Sequence, residues 1–138
     1  MIIIDGTEVK AFADQLRAFP RELRPELRRE IKKSADVLVR DIRSNAAWSS
    51  RIPGATRVSV GFGARSSGVT VLTDAAKAPH ARPLEFGNNG GFNRHPVYDG
   101  PAWVNQPIRP FFLPAVRANE RQVVNAVGSA IDAAFSRL

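Results

Sequence analysis

Apolar residues return every three or four positions at both ends of this chain and every second position in its middle. In "TEVKAFADQLRAF", residues 7–19, Val9, Phe12, Leu16 and Phe19 fall on one helical face and Thr7 stands where an N-cap belongs. Pro20 ends that short helix. A second stripe runs through Leu23, Leu27, Ile31, Ala35, Leu38, Ile42 and Ala46, predicting a helix of roughly seven turns that extends the helical region to residue 48. Pro25 fits only within or just before its first turn. Glu22, Glu26 and Glu30 interleave with arginines on the other face, so the spacing predicts small i,i+4 ion-pair support and a solvated surface.

From Arg57 the period falls to two. "RVSVGFG" and "GVTVLTD" alternate Val58, Val60, Phe62 and Val69, Val71, Thr73 with small or polar residues, predicting an antiparallel hairpin over residues 57–74 with "ARSSG" at its tip. The helical period then returns through Leu113, Val116, Val123, Val127, Ile131, Ala134 and Leu138, and Pro110 and Pro114 confine the start of that helix to the neighbourhood of Leu113. The pattern predicts an α+β fold in one domain over residues 1–138. It comprises a small antiparallel sheet, a long N-terminal helix, a C-terminal helix over 113–138, and a long excursion over 87–110 rich in proline, glycine and aromatic residues.

Composition narrows the classes. A chain of 138 residues buries a core without staples, and with no cysteine it has no disulfide, thiolate zinc site or cysteine nucleophile. "MIIIDGTEVK" is too short in apolar residues for a leader or a span, so a soluble protein without a membrane partner is expected. The net charge of +7 suits contact with nucleic acid or an acidic protein. It is spread along the chain rather than gathered in a basic arm, which argues against autonomous DNA recognition.

Catalytic signatures are sparse. There is no phosphate-binding glycine loop, no HExxH and no GxSxG. His80, Arg82, Glu85 and His95 offer a general base, a general acid and a phosphate clamp for a metal-independent ribonuclease, which needs an imidazole and a carboxylate within hydrogen-bond reach of one ribose; surface histidines beside an ion pair explain the same residues. Asp74, Glu85 and Asp99 lack the spacing of a metal cluster, and loop or cap roles are expected for them. "NNGG", residues 88–91, reads as a turn. Phe92, Arg94, Tyr98, Trp103, Arg109, Phe111 and Phe112 suit stacking on single-stranded bases or packing against protein, and the intervening prolines favour packing. A sequence-tolerant nucleic-acid binder is a third reading. Neither metal nor cofactor is expected.

A resemblance runs through the same residues. "LEFGNN" after "APHARP", followed by "QPIRPFFLPAV" and a terminal helix, resembles the neck or tail-component family of long-tailed siphophages. That family shows a "VEFGT"-like turn, an aromatic and proline patch, and "RPFLRPA" before a final helix. Leu84 to Gly87 match the first element, and Arg109, Pro110, Phe111, Leu113, Pro114 and Ala115 match the last. "NRHPVYDGPAWVNQP" is similar to the "HPVFG...W...QP" variant in phages of actinobacteria, and the order of elements holds from about residue 20 to 138. Here "GNNGG" replaces the usual Gly-Thr, and "FFLP" replaces "FLRP" with loss of a positive charge.

The resemblance implies a non-enzymatic virion protein, made in the host cytoplasm. It would form a homo-oligomeric ring, six-fold like the tail tubes of such phages, beside the portal and head-closure proteins and the tail tube or its terminator, or be the tail terminator itself. On that reading the excursion is the assembly surface, with Phe92, Tyr98, Trp103, Arg109, Phe111 and Phe112 facing neighbours. Arg24, Arg28, Arg29 and Arg65 are the candidates for non-specific contact with DNA in the lumen.

Overall fold

The computed structural model describes residues 3–5, 8–87, 91–96 and 101–138. In chain order its elements are β1 (Ile3–Asp5), β2 (Glu8–Ala11), α1 (Ala13–Arg17), a 3-10 turn (Arg21–Leu23), α2 (Arg24–Ser34), α3 (Asp36–Asn45), α4 (Ile52–Ala55), β3 (Thr56–Gly61), β4 (Gly68–Thr73), α5 (Ala81–Phe86), β5 (Phe92–Pro96), β6 (Trp103–Pro107) and α6 (Phe112–Ser136). Helices and small antiparallel sheets make it a mixed α and β fold.

The two alternating segments pair antiparallel as β3 and β4, with Val58 opposite Val71 and Val60 opposite Val69. Val58, Val60, Phe62, Val69, Val71 and Thr73 are all buried, so the period of two correctly marks one inward face. A Cβ on Gly61 would lie 1.7 Å from the Ser66 carbonyl oxygen, which makes glycine obligatory where the hairpin turns.

The sheet is larger than the alternation predicts, and the first helix is correspondingly shorter. Residues 8–11, expected inside a helix from 7 to 19, form β2 along the other side of β4, with Val9 opposite Val71 and Ala11 opposite Val69. β1 pairs outside it, giving the order β1-β2-β4-β3. The open edge of β4 overrides the local helical spacing, because pairing there satisfies the backbone groups of both strands. Phe12 turns the chain out of the sheet with a left-handed φ of 68°, and α1 begins at the next residue. Only Leu16 keeps the expected helical, buried role; Phe19 is buried too, but lies past the end of α1. Thr7 lies outside the described residues.

The seven-turn helix is divided as well. Pro25 occupies the first turn of α2. Ala35, fully buried with φ −92° and ψ 0°, makes a one-residue kink between α2 and α3. No glycine or proline marks that place in the sequence. The kink lets both halves pack on α6, so Leu27, Ile31, Leu38 and Ile42 share one buried cluster with Val116, Val123, Val127 and Ile131. No Glu–Arg pair closes along α2; the neighbouring ion pairs are Arg17–Asp14 and Arg40–Asp36. Arg24 and Arg28 turn instead to the Phe62 ring, their guanidinium carbons 5.1 and 5.3 Å from its centroid.

Buried polar groups in this core are matched. The Asn119 amide donates to Asp41 Oδ2 at 2.6 Å and to the Ala115 carbonyl at 2.8 Å, tying α6 to α3. Thr56 donates its hydroxyl to the Ile52 carbonyl at 3.0 Å, so at the 2.8 Å contact across the β3–β4 pair Thr73 is the donor.

Candidate assembly surface

Between β4 and α6 the chain makes a joint and an arm. The joint rests on Glu85 of α5, which is only 3 % exposed. Its Oε2 accepts the backbone N–H groups of Phe111 at 2.7 Å and Phe112 at 3.0 Å, and its Oε1 accepts that of Leu113 at 2.8 Å. The next residue, Pro114, has no N–H to satisfy. The opening donors of α6, which have no partner within their own helix, are therefore met by one carboxylate at the positive end of the helix dipole. Alongside, the Arg109 N–H donates to the Leu84 carbonyl at 2.8 Å. Gly87 ends α5 with φ 74°, where a Cβ would stand 2.7 Å from the Phe92 carbonyl oxygen and 2.8 Å from Ile108 Cγ2. "LEFG" and "IRPFFLP", far apart in sequence, are thus two halves of one structure.

That joint corrects part of the expected interface. Phe111 and Phe112 are both 0 % exposed and have no surface to offer a neighbour. They stack edge to face at 6.5 Å, and Trp48 meets Phe111 edge to face at 6.4 Å. Arg109 is exposed, with its guanidinium 4.3 Å from the Trp48 centroid. The series from Arg109 through Trp48 to Phe111 closes the core rather than opening it. Trp48 carried no helical or strand period and escapes sequence reasoning.

The arm is β5 paired antiparallel with β6, so the described part of the expected excursion contains a regular ribbon. Phe92 stands opposite Pro107, Arg94 opposite Asn105, and Pro96 opposite Trp103. Every residue of β6 is exposed. Trp103 is 56 % exposed, Phe92 43 %, Val104 40 %, and Phe86 at the base of the arm 40 %. Arg94 lies over the Trp103 ring at 5.7 Å and Arg82 over Phe86 at 6.0 Å. Tyr98 and Asp99 lie outside the described residues.

The groups considered for catalysis lie on α5, just before it and on β5. Glu85 is engaged by three backbone donors. His80 precedes α5, its Nε2 3.1 Å from Ser49 Oγ, which also accepts the Arg51 and Ile52 N–H groups. His95 sits on β5 opposite Val104. Among the described residues no three histidines or carboxylates converge as metal ligands. Asp74 accepts the Ala76 N–H at 2.9 Å in a loop.

Of the arginines considered for DNA, Arg29 and Arg65 are exposed, whereas Arg24 and Arg28 are half-buried against Phe62. Phe62 begins the turn that carries Arg65, so helix α2 and the hairpin tip bring positive charge to one edge of the sheet. No helix among the described residues is long and apolar enough to cross a membrane. The chain matches no protein-family model, and no curated protein or solved structure matches it significantly.

Proposed function

We propose that this chain is a structural, ring-forming component of a siphophage neck, joining the portal and head-closure complex to the tail tube and surrounding the DNA path. The observation that carries the reading is the arm and its base, where Phe86, Phe92, Trp103 and Val104 are each at least 40 % exposed. A two-stranded ribbon is marginal by itself, and a neighbouring subunit that covers these side chains stabilises both partners. The motifs behind the neck resemblance, "LEFG" and "RPFFLPA", form the joint at the arm's base, which suits a part whose orientation decides whether a ring closes. The basic edge formed by Arg29, Arg65 and the Phe62-bound Arg24 and Arg28 supports sequence-independent contact with passing phosphates. The role requires no turnover.

Electron cryo-microscopy of intact virions tests this. The expected result is density for this chain as a ring between portal and tail tube. Complete particles without such a ring would overturn the reading, and RNA cleavage by the purified chain, abolished by His80→Ala, would replace it with the ribonuclease.

A further inference from the structure

The exposed large apolar residues among those described fall into two groups. Phe86, Phe92, Trp103 and Val104 belong to the arm and its base; Leu23, 41 % exposed, lies elsewhere, with Leu138. Leu23 borders a groove of about 160 Å³ formed with Phe19, Leu27 and Ala134, where the last turns of α6 pack against the 3-10 turn and α2. Phe19, one of its lining residues, meets the Phe135 ring edge to face at 5.2 Å. The arm's base is joined to the first residue of α6 through Glu85, whereas the groove lies at that helix's far end. A 25-residue helix is about 37 Å long, so a copy's arm is far from its own groove.

Groove and arm are complementary in size and charge. A void of about 150 Å³ accepts benzene, so the groove has room for one aromatic ring. A second cavity, between β2, β4 and α6, holds only about 30 Å³. Glu26 and Arg137 also line the groove, with Glu22 exposed one turn before Glu26. Neither glutamate has an ion pair among the described residues. On the arm, Trp103 carries Arg94 stacked upon it, so ring and positive charge arrive together.

We propose that the arm of one copy docks on the next copy of this chain, with the Trp103 ring in the groove of Phe19, Leu23, Leu27 and Ala134 and Arg94 beside Glu26. The contact rests on the assembly reading above and specifies its two surfaces. It is heterologous: each copy gives an arm at one end and a groove at the other, which generates a ring when the rotation closes. Aromatic and arginine side chains that enter a desolvated pocket carry much of the binding energy of an interface.

The chain has no cysteine, so Leu23→Cys with Val104→Cys places the only two thiols on the two surfaces, both at exposed positions. A short bismaleimide is expected to link the double variant into oligomers, while each single variant stays unlinked. Trp103→Ala is expected to weaken association about tenfold or more, with thermal melting unchanged at concentrations where the parent chain is monomeric. Arg94→Glu weakens it too, and Glu26→Arg in the same chain restores it. A linked product that stops at dimers supports the contact and counts against a ring. Rings that form without this link, or a chain that neither associates nor links at the highest concentration reached, overturn the contact. The first of those outcomes leaves the neck reading standing.

Discussion

Glu85 and Phe111, separated by 26 positions, meet at 2.7 Å through a carboxylate oxygen and a backbone N–H. That bond and its two companions fix where α6 starts and hold the base of the arm against the body. The joint carries orientation, whereas the arm carries contact, and substitutions in the two behave differently.

Removing the carboxylate strands three N–H groups in a buried place. Hydrogen bonds to a charged group contribute about 1.5–3 kcal/mol, and buried donors left unpaired add to the loss. Glu85→Ala is expected to lower unfolding free energy by about 3 kcal/mol, and Glu85→Gln, which keeps one acceptor, by about half as much. Urea titration of the variants measures both; equal small losses would show that water replaces the cap.

Phe111 and Phe112 separate from Trp103 in the same assay. Truncating a buried phenylalanine costs about 3–5 kcal/mol, so Phe111→Ala and Phe112→Ala are expected to melt far below the parent chain. Trp103→Ala lies on an exposed strand and is expected within about 0.5 kcal/mol of it. A large loss of stability at Trp103 would mean that the arm packs on its own protomer.

Two glycines respond with opposite signs. At Gly128, within α6, an added Cβ would meet Phe12 Cε1 at 3.5 Å, an ordinary contact. Gly128→Ala is expected to stabilise by about 0.4–1 kcal/mol through the unfolded chain. At Gly87 the positive φ and the Phe92 carbonyl refuse a side chain. Gly87→Ala is expected to loosen the arm, read as faster tryptic cleavage after Arg94.

The threonine pair across β3 and β4 is coupled. Thr56→Val removes a donor to Ile52 and an acceptor for Thr73, a loss of about 1–3 kcal/mol. The double change Thr56→Val with Thr73→Val is expected to cost less than the two single losses added together. Denaturant melts of the four chains in the cycle give that coupling; strict additivity would show that the hydroxyls act independently.

Where burial is one-sided and local, the sequence by itself determined the structure. The period of two in residues 57–74 marks the inward face of β3 and β4, because a strand's alternation survives any packing that covers one face. The stripe from Val116 to Ala134 likewise marks the core side of α6, and Pro25 and Pro114 lie in first turns because their missing N–H groups have no helical partner there.

Partnership was decided only by the tertiary structure. Val9, Phe12, Leu16 and Phe19 satisfy a helical spacing, yet the edge of β4 recruits residues 8–11 into the sheet, a choice that depends on a strand some 60 positions away. Ala35 bends because two helices share one neighbour, and nothing beside it in the chain records that. Phe111, Phe112 and Trp103 look alike in sequence as aromatics among prolines. The Glu85 carboxylate draws the first two inward, and the β5–β6 register leaves the third outside. Local propensity and period act over a few residues; burial and hydrogen-bond satisfaction are settled between residues that only the folded chain brings together.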